Sequence, residues 1–282
     1  MIAAWPVLWI IAAAAYVGAA AAYARLLFGP AGGRRPALGL LAAALVAHLG
    51  WLAAVSARLG RLPIGDPLET LLLAGWLCVA VCLMVDARWR APALGIFAAP
   101  LGLVSILALL ARGAPAAVPA SELNNPWLQL HIVLILIGYA ALALAFGSAV
   151  VYLVQDRGLR SKHPSALGRH LPSVQAADDT AYRLVAVGFP LLTAGLVVGV
   201  LMLQQMKGVY WLWDDIKLTM SAVTWLVFAV YLHARMAQGW KGRRTAVLLV
   251  IGFVLVLVTY LGVWFLAPDS WHNAPFGSTA RG

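Results

Sequence analysis

The sequence predicts an all-α, polytopic membrane protein: a bundle of about eight transmembrane helices with both termini outside. Apolar side chains make up 63% of the 282 residues and charged ones only 11%, whereas a soluble domain carries about 25% charged residues. The apolar residues form runs near the roughly 20 residues that a helix needs to cross the hydrocarbon core. The basic residues lie in short segments between these runs. The net charge of +10 therefore indicates membrane topology rather than a nucleic-acid partner.

The chain reads as one integral membrane domain, 1–282, without a soluble domain. No charged residue precedes Trp5, where the first apolar run begins, and this run is too long for the core of a signal peptide. We therefore expect it to remain in the protein as the first transmembrane span. Helices are favoured over a β-barrel because stretches such as 247–258 are continuously apolar rather than alternating. The predicted spans are about 5–28, 37–57, 68–86, 93–111, 127–154, 181–206, 217–237 and 244–266.

Individual spans carry a few further signals. Cys78 and Cys82 lie four residues apart within span three, which favours plain packing over a disulfide or a redox pair. Pro100 and Pro190 are positions at which spans four and six could kink. The polar connection 155–180 is interpreted as a short amphipathic helix at the membrane surface.

The orientation follows from the distribution of Lys and Arg. Fourteen of the twenty basic residues lie in the first, third, fifth and seventh connections. Because cytoplasmic loops carry the excess of positive charge, these connections are predicted to be cytoplasmic and both termini outside. The basic residues on the other side are Arg58, Arg61, Arg112, Lys207, Lys217 and Arg281.

Histidine and tryptophan residues gather on the predicted outer face. Segment 208–217 contains Trp211 and Trp213, His131 lies near the start of span five, and His272 follows span eight. Haem iron takes one or two axial imidazoles, and tryptophan supplies large apolar planes for a porphyrin. The pattern is compatible with a haem site. The residues alone favour an aromatic belt at the membrane interface, where tryptophan and tyrosine are enriched as anchors.

Two more histidines lie within the spans. Ionisable groups at such depth are functional candidates, because burying them in the membrane is costly. His48 is near the middle of span two, where a hydrogen bond to a neighbouring helix would also explain it. His233 is toward the cytoplasmic end of span seven, where an interfacial position beside Arg235 is the alternative.

The sequence also resembles the cytochrome c assembly (CcsA/CcmC/HemX) family. Segment 211–214, Trp-Leu-Trp-Asp, is similar to that family's outward tryptophan-rich "WWD" loop, and 225–235 to the following helix that ends in Tyr-Leu-His-x-Arg. Segment 125–131 is similar to its "WL-x-x-H" string. The remaining matches are Gly60–Ile64 with Glu69, Trp240–Arg244, and 271–278.

The resemblance implies haem-binding roles for particular residues. Two outward histidines, His131 and His272, would ligate the iron of haem b (iron protoporphyrin IX), which is bound transiently. The other haem-contacting residues that it implies are Trp127, Trp211, Trp213, Asp214, His48 and His233. For Asp214 the residues themselves also favour a structural role, because an aspartate just before span seven can cap that helix.

The implied function is haem handling during cytochrome c assembly at a bacterial-type inner (plasma) membrane, with the WWD loop on the periplasmic side. An apocytochrome c and a second membrane assembly subunit are the implied partners. No catalytic residue is expected, because cysteine thiolates of the substrate add to the haem vinyl groups. Any enzymatic activity would be part of a cytochrome c haem-attachment (synthase) system.

Departures from the motif keep other functions open. Relative to the family's loop, Lys207 replaces the first tryptophan, and Asp215, Ile216 and Lys217 replace Pro, Lys and Glu. These differences, together with only eight spans, favour the shorter HemX-like branch. A HemX-type regulator of tetrapyrrole synthesis and a small-solute transporter without haem are therefore the alternatives.

Overall fold

The fold is a bundle of long helices. The computed structural model describes residues 5–28, 33–112, 123–161, 171–211, 213 and 215–267. Within this part of the chain, eight helices are long and apolar enough to cross a membrane, which confirms the predicted all-α architecture. They are α1 Trp5–Phe28, α2 Arg34–Leu59, α3 Pro67–Trp89, α4 Gly95–Arg112, α5 Pro126–Arg160, α6 Val174–Lys207, α7 Ile216–Ala237 and α8 Arg243–Leu257. Helix α8 continues through a π-helical turn, Val258–Gly262, and a last turn, Val263–Leu266.

Most helices begin and end within a few residues of the predicted spans, but α5 and α6 are longer. Their polar ends, 155–160 and 174–180, continue these two helices. The expectation of a separate surface helix is therefore wrong for those residues, and 162–170 lie outside the described chain. Hydropathy marks the part of a helix that can lie in lipid. Polar interactions extend both helices beyond that part. In α5, Arg160 pairs with Asp156 at 2.9 Å; in α6, the Ser173 side chain caps the first turn by accepting a hydrogen bond from Ala176 N.

The connections α2–α3 and α6–α7 lie at one end of the bundle, which we call the upper end. Helix α2 stops at Gly60, whose φ of 65° is left-handed. Helix α3 begins at Pro67, a residue that favours the first helical position. Asp66 caps this helix, because its Oδ1 accepts hydrogen bonds from Leu68 N and Glu69 N at 2.8 and 2.9 Å. The short connection between them is thereby held against the top of α3.

Helices α5 and α6 form the most extensive helix pair of the bundle. Small residues allow this close approach: an added Cβ at Gly138 would lie 3.0 Å from Leu192 N and 3.1 Å from Gly188 O. Small side chains at helix interfaces are the usual means of packing in a membrane, where the hydrophobic effect does not drive helices together. Helices α1 to α4 form a second packed group, and α3 joins it to α5.

The Gly138→Ala variant should have a lower thermal midpoint of unfolding in detergent. Its methyl group would meet backbone atoms of α6, which cannot rotate away, and overpacking typically costs about 1–3 kcal/mol. Gly158→Ala on the same helix is the matched control, since its added Cβ meets nothing within 4 Å. Equal midpoints for the two variants would contradict the close packing of α5 and α6.

The opposite, lower end of the bundle is held by ion pairs. Arg235, near the end of α7, lies 2.6 Å from Asp178 and 3.6 Å from Asp179, both in the second turn of α6. Its guanidinium also lies 5.1 Å from the ring centre of Tyr182. These contacts fix the lower end of α7 against α6.

Candidate functional site

A cavity of about 1030 Å³ lies near the upper end, between α3, α5, α6, α7 and the π-helical turn after α8. This volume is at the top of the ~300–1,000 Å³ range of small-molecule sites. Leu, Ile, Val and Met account for about half of its lining residues. Its polar and aromatic lining residues are Asp66, Thr70, Asn125, His131, Tyr139, Thr193, Tyr210, Trp211, Lys217, Ser221, Trp225 and Tyr260.

His131 lies in this cavity wall, in the second turn of α5. Its Nδ1 donates a hydrogen bond to the backbone oxygen of Gly195 at 2.7 Å. An added Cβ at Gly199 would lie 2.6 Å from His131 Cε1 and 2.8 Å from Nδ1, so the ring lies against a surface that only glycine provides. A carbonyl can only accept, so Nδ1 carries a proton, as it does in histidines that ligate a metal through Nε2.

The three predicted tryptophans differ in position. Trp211 lines the cavity, and its buried Nε1 makes no hydrogen bond with any described residue. Trp213 is 86% exposed and Trp127 is 57% exposed, and neither lines the cavity. The rings of Trp211 and Trp213 are 6.1 Å apart at an angle of 62°. Only Trp211 therefore fits the expectation of a tryptophan plane in the cavity wall.

Two predicted residues, Asp214 and His272, lie outside the described residues. The cap of α7 is nevertheless described. Asp215 precedes the helix, and its side chain accepts a hydrogen bond from Leu218 N at 3.0 Å. The capping role expected of Asp214 thus belongs to the next residue, one position later in the loop. The haem contact proposed for Asp214 stays a prediction.

Asp215→Ala should destabilise the protein by about 0.5–2 kcal/mol, the usual cost of losing a helix N-cap. Asp215→Asn should retain most of the stability, because the amide oxygen can accept the same bond. Thermal unfolding of the two variants in detergent measures the difference. Equal losses would show that the cap is not what Asp215 contributes.

The two histidines predicted within the spans lie away from this cavity. His48 is 0% exposed, and its Nδ1 is 2.9 Å from the hydroxyl of Tyr16 on α1, which matches the hydrogen-bonded alternative. His233 lines a second cavity of about 340 Å³ near the lower end, with Gln238 and Trp240. Haem binding by His48 and His233 stays a prediction.

The structure adds a hydrogen-bonded wall that the sequence did not indicate. Tyr260 lies in the π-helical turn after α8, and its hydroxyl donates to Pro67 O at 2.9 Å and lies 2.8 Å from Thr70 Oγ1. Across the cavity, Trp225 Nε1 donates to Thr193 Oγ1 at 2.9 Å. Helical π-turns are frequent at functional sites, but an apolar run such as 244–266 carries no signal for one.

A buried ion pair supports the cavity from the α2–α3 connection. Arg61 Nη1 lies 2.6 Å from Glu69 Oε2, and the same oxygen accepts a hydrogen bond from Gly65 N at 2.8 Å. Both side chains are almost fully buried. The pair fixes the connection that carries Ile64 and Asp66 to the cavity wall. The sequence placed Arg61 and Glu69 in a family motif without indicating that they pair.

Comparison with known proteins identifies the family. The sequence profile described as "Cytochrome C assembly protein" matches residues 41–268. The chain belongs to the cytochrome c assembly protein family. It is 34% identical over 229 residues to the cytochrome c biogenesis protein CcsA of Synechococcus sp. (strain CC9902), covering 72% of this chain and 75% of that protein. It is 31% identical over 284 residues to CcsA of Gloeobacter violaceus (strain ATCC 29082 / PCC 7421), covering 81% and 83%.

A solved structure shares the fold. The cytochrome c haem lyase CcmF superposes with a TM-score of 0.67 at 19% identity, over 96% of this chain and 49% of CcmF. This family member thus spans about half the length of that chain. The family match and the eight apolar helices make it a multi-pass membrane protein. Its placement in the HemX-like branch stays a prediction.

Proposed function

We propose that this protein binds haem in the upper cavity and presents it during cytochrome c biogenesis. The observation that carries the proposal is His131, a histidine whose ring is held by a hydrogen bond to Gly195 O in the wall of a large, mainly apolar cavity. The relatives are named cytochrome c biogenesis proteins, which supports haem as the ligand rather than another flat apolar molecule.

The residues of the cavity fit a porphyrin. The apolar side chains of α5 and α6 suit its faces, and His131 is a residue of the type that ligates haem iron. The buried indole N–H of Trp211, which makes no hydrogen bond with a described residue, can donate to a polar group of the ligand. These features come from α5, α6 and the α6–α7 connection, so the site depends on the packing of the bundle.

His272 is proposed as the second histidine that would hold the haem iron. The described chain ends at Ala267, directly after the last helical turn of α8, and therefore at the upper end of the bundle, beside the cavity. Two imidazoles on opposite faces of haem would hold it in a defined orientation. The excess of basic residues at the lower end supports placing the cavity on the outer side of the membrane.

In this proposal the protein holds haem and exposes it to the apocytochrome. In haem attachment, each thiol of an apocytochrome adds across a vinyl C=C bond, forming one C–S and one C–H bond without an oxidant. The apolar wall of the cavity would exclude water from the bound porphyrin, and His131 would hold it beside α5. A haem edge presented to an apocytochrome then needs no nucleophile from this chain.

Haem titration of the purified protein tests the proposal. The apoprotein in detergent should shift and sharpen the Soret band of haem at a one-to-one ratio. The same gene should restore cytochrome c maturation in a bacterium that lacks its own CcsA. An unchanged haem spectrum together with failed complementation would overturn the proposal.

A further inference from the structure

Lys217 is the basic residue among the described residues that line the upper cavity. It lies in the first turn of α7, with its side chain partly buried in a wall that is mostly apolar. No ion pair joins Lys217 to a described carboxylate. Asp215, the acidic residue two positions before it, is already the N-cap of the helix.

The position of this cation is locally unfavourable. The first turn of a helix carries the positive end of the backbone dipole, which favours anions and disfavours lysine. A charged group facing an apolar cavity also loses hydration. A residue that breaks a local rule in this way is expected where function requires it, and an anionic group of a ligand would relieve both effects.

The other polar groups of the cavity indicate where that anionic group binds. Trp211 contributes an indole N–H that makes no hydrogen bond with a described residue, and it lies six residues before Lys217, in the connection that leads into α7. Asp66 lies on the α3 wall and repels an anion. The unpaired indole N–H and the positive charge are therefore on the α7 side, and the carboxylate of Asp66 is on the α3 side.

We propose that Lys217 is the carboxylate-binding residue of the upper cavity and orients haem with a propionate toward the start of α7. The proposal rests on the proposed function, because it assumes that haem is the ligand. Beyond haem binding itself, it assigns the orientation of haem: the propionate edge faces the start of α7. A carboxylate accepts from the ammonium group of Lys217 and from Trp211 Nε1 in charge-assisted hydrogen bonds.

Two ligands that differ only in their carboxylates test this assignment. Haem and haem dimethyl ester are titrated into wild type, Lys217→Met, Lys217→Arg and Lys207→Met in detergent, and the Soret change gives the affinity. Lys207 is the matched control, since it is exposed at the upper end and does not line the cavity. Lys217→Met should bind haem about tenfold or more weakly, the scale of one hydrogen bond to a charged group.

The ester separates a carboxylate contact from a structural role. Lys217→Met and wild type should bind the ester equally, Lys217→Arg should retain most of the haem affinity, and Lys207→Met should behave as wild type. Equal weakening of haem and ester by Lys217→Met, or no weakening of either, would overturn the assignment while leaving haem binding intact. If wild type binds neither ligand, the proposed function fails, and the assignment fails with it.

Discussion

Replacing His131 with alanine should lower the haem affinity of the purified protein at least about 100-fold. Loss of an outer-shell partner at a metal site already costs about 10–100-fold, and His131 is proposed to bind the iron itself. Its Nδ1–H bond to Gly195 O at 2.7 Å and its contact with Gly199 hold the ring in one orientation. The measurement is a haem titration followed by visible absorption, together with cytochrome c maturation in cells.

Leu130→Ala is the matched control for His131→Ala. Leu130 precedes His131 on α5, is exposed and does not line the cavity, so its truncation should leave haem binding unchanged. Wild-type affinity in His131→Ala would contradict the account. An equal loss in Leu130→Ala would point instead to a general disturbance of α5.

Replacing Arg61 with methionine should cost about 3–5 kcal/mol of stability, the range for breaking a buried ion pair. The variant leaves the Glu69 carboxylate buried without the guanidinium 2.6 Å away. The α2–α3 connection should then loosen, since Gly65 N is bonded to the same carboxylate. Chemical or thermal unfolding in detergent gives the loss, and haem titration shows whether the cavity wall is affected as well.

Two further variants give this prediction its controls. Arg160→Met breaks an exposed pair with Asp156 and should leave the stability almost unchanged, because exposed helix pairs contribute little. The double variant Arg61→Met with Glu69→Met should recover much of the loss, because a buried pair can be replaced by apolar side chains of similar volume. A double variant as unstable as Arg61→Met would show that the pair is not what the two residues contribute.

The architecture was predictable because membrane spans have a direct signal in hydropathy. The eight runs gave eight helices, and α7 begins and ends within one residue of its prediction, 217–237. The polar extensions of α5 and α6 were missed because caps and surface ion pairs, rather than apolar residues, continue those helices. Pro100 and Pro190, considered as points where a transporter helix would break, lie inside continuous helices.

The candidate site was predictable only in part. Motif resemblance identified His131 and Trp211, and the cavity includes both. It could not distinguish Trp211 from Trp213, since exposure depends on how a loop folds rather than on residue type. In the sequence, Lys217 contributes only to the charge count that sets the topology, and Gly199 has no distinguishing feature. Their contribution to the cavity depends on contacts with other helices, which sequence order does not reveal.

Rescue of His131→Gly by imidazole tests the central claim most directly, namely that His131 ligates haem in the upper cavity. The visible spectrum of the haem-loaded variant is recorded with and without imidazole, beside Leu130→Gly and wild type. The account predicts that His131→Gly loses the low-spin spectrum of the wild-type protein, and that imidazole, filling the space of the missing ring, restores it. A low-spin spectrum in His131→Gly without imidazole, identical to wild type, would contradict the claim.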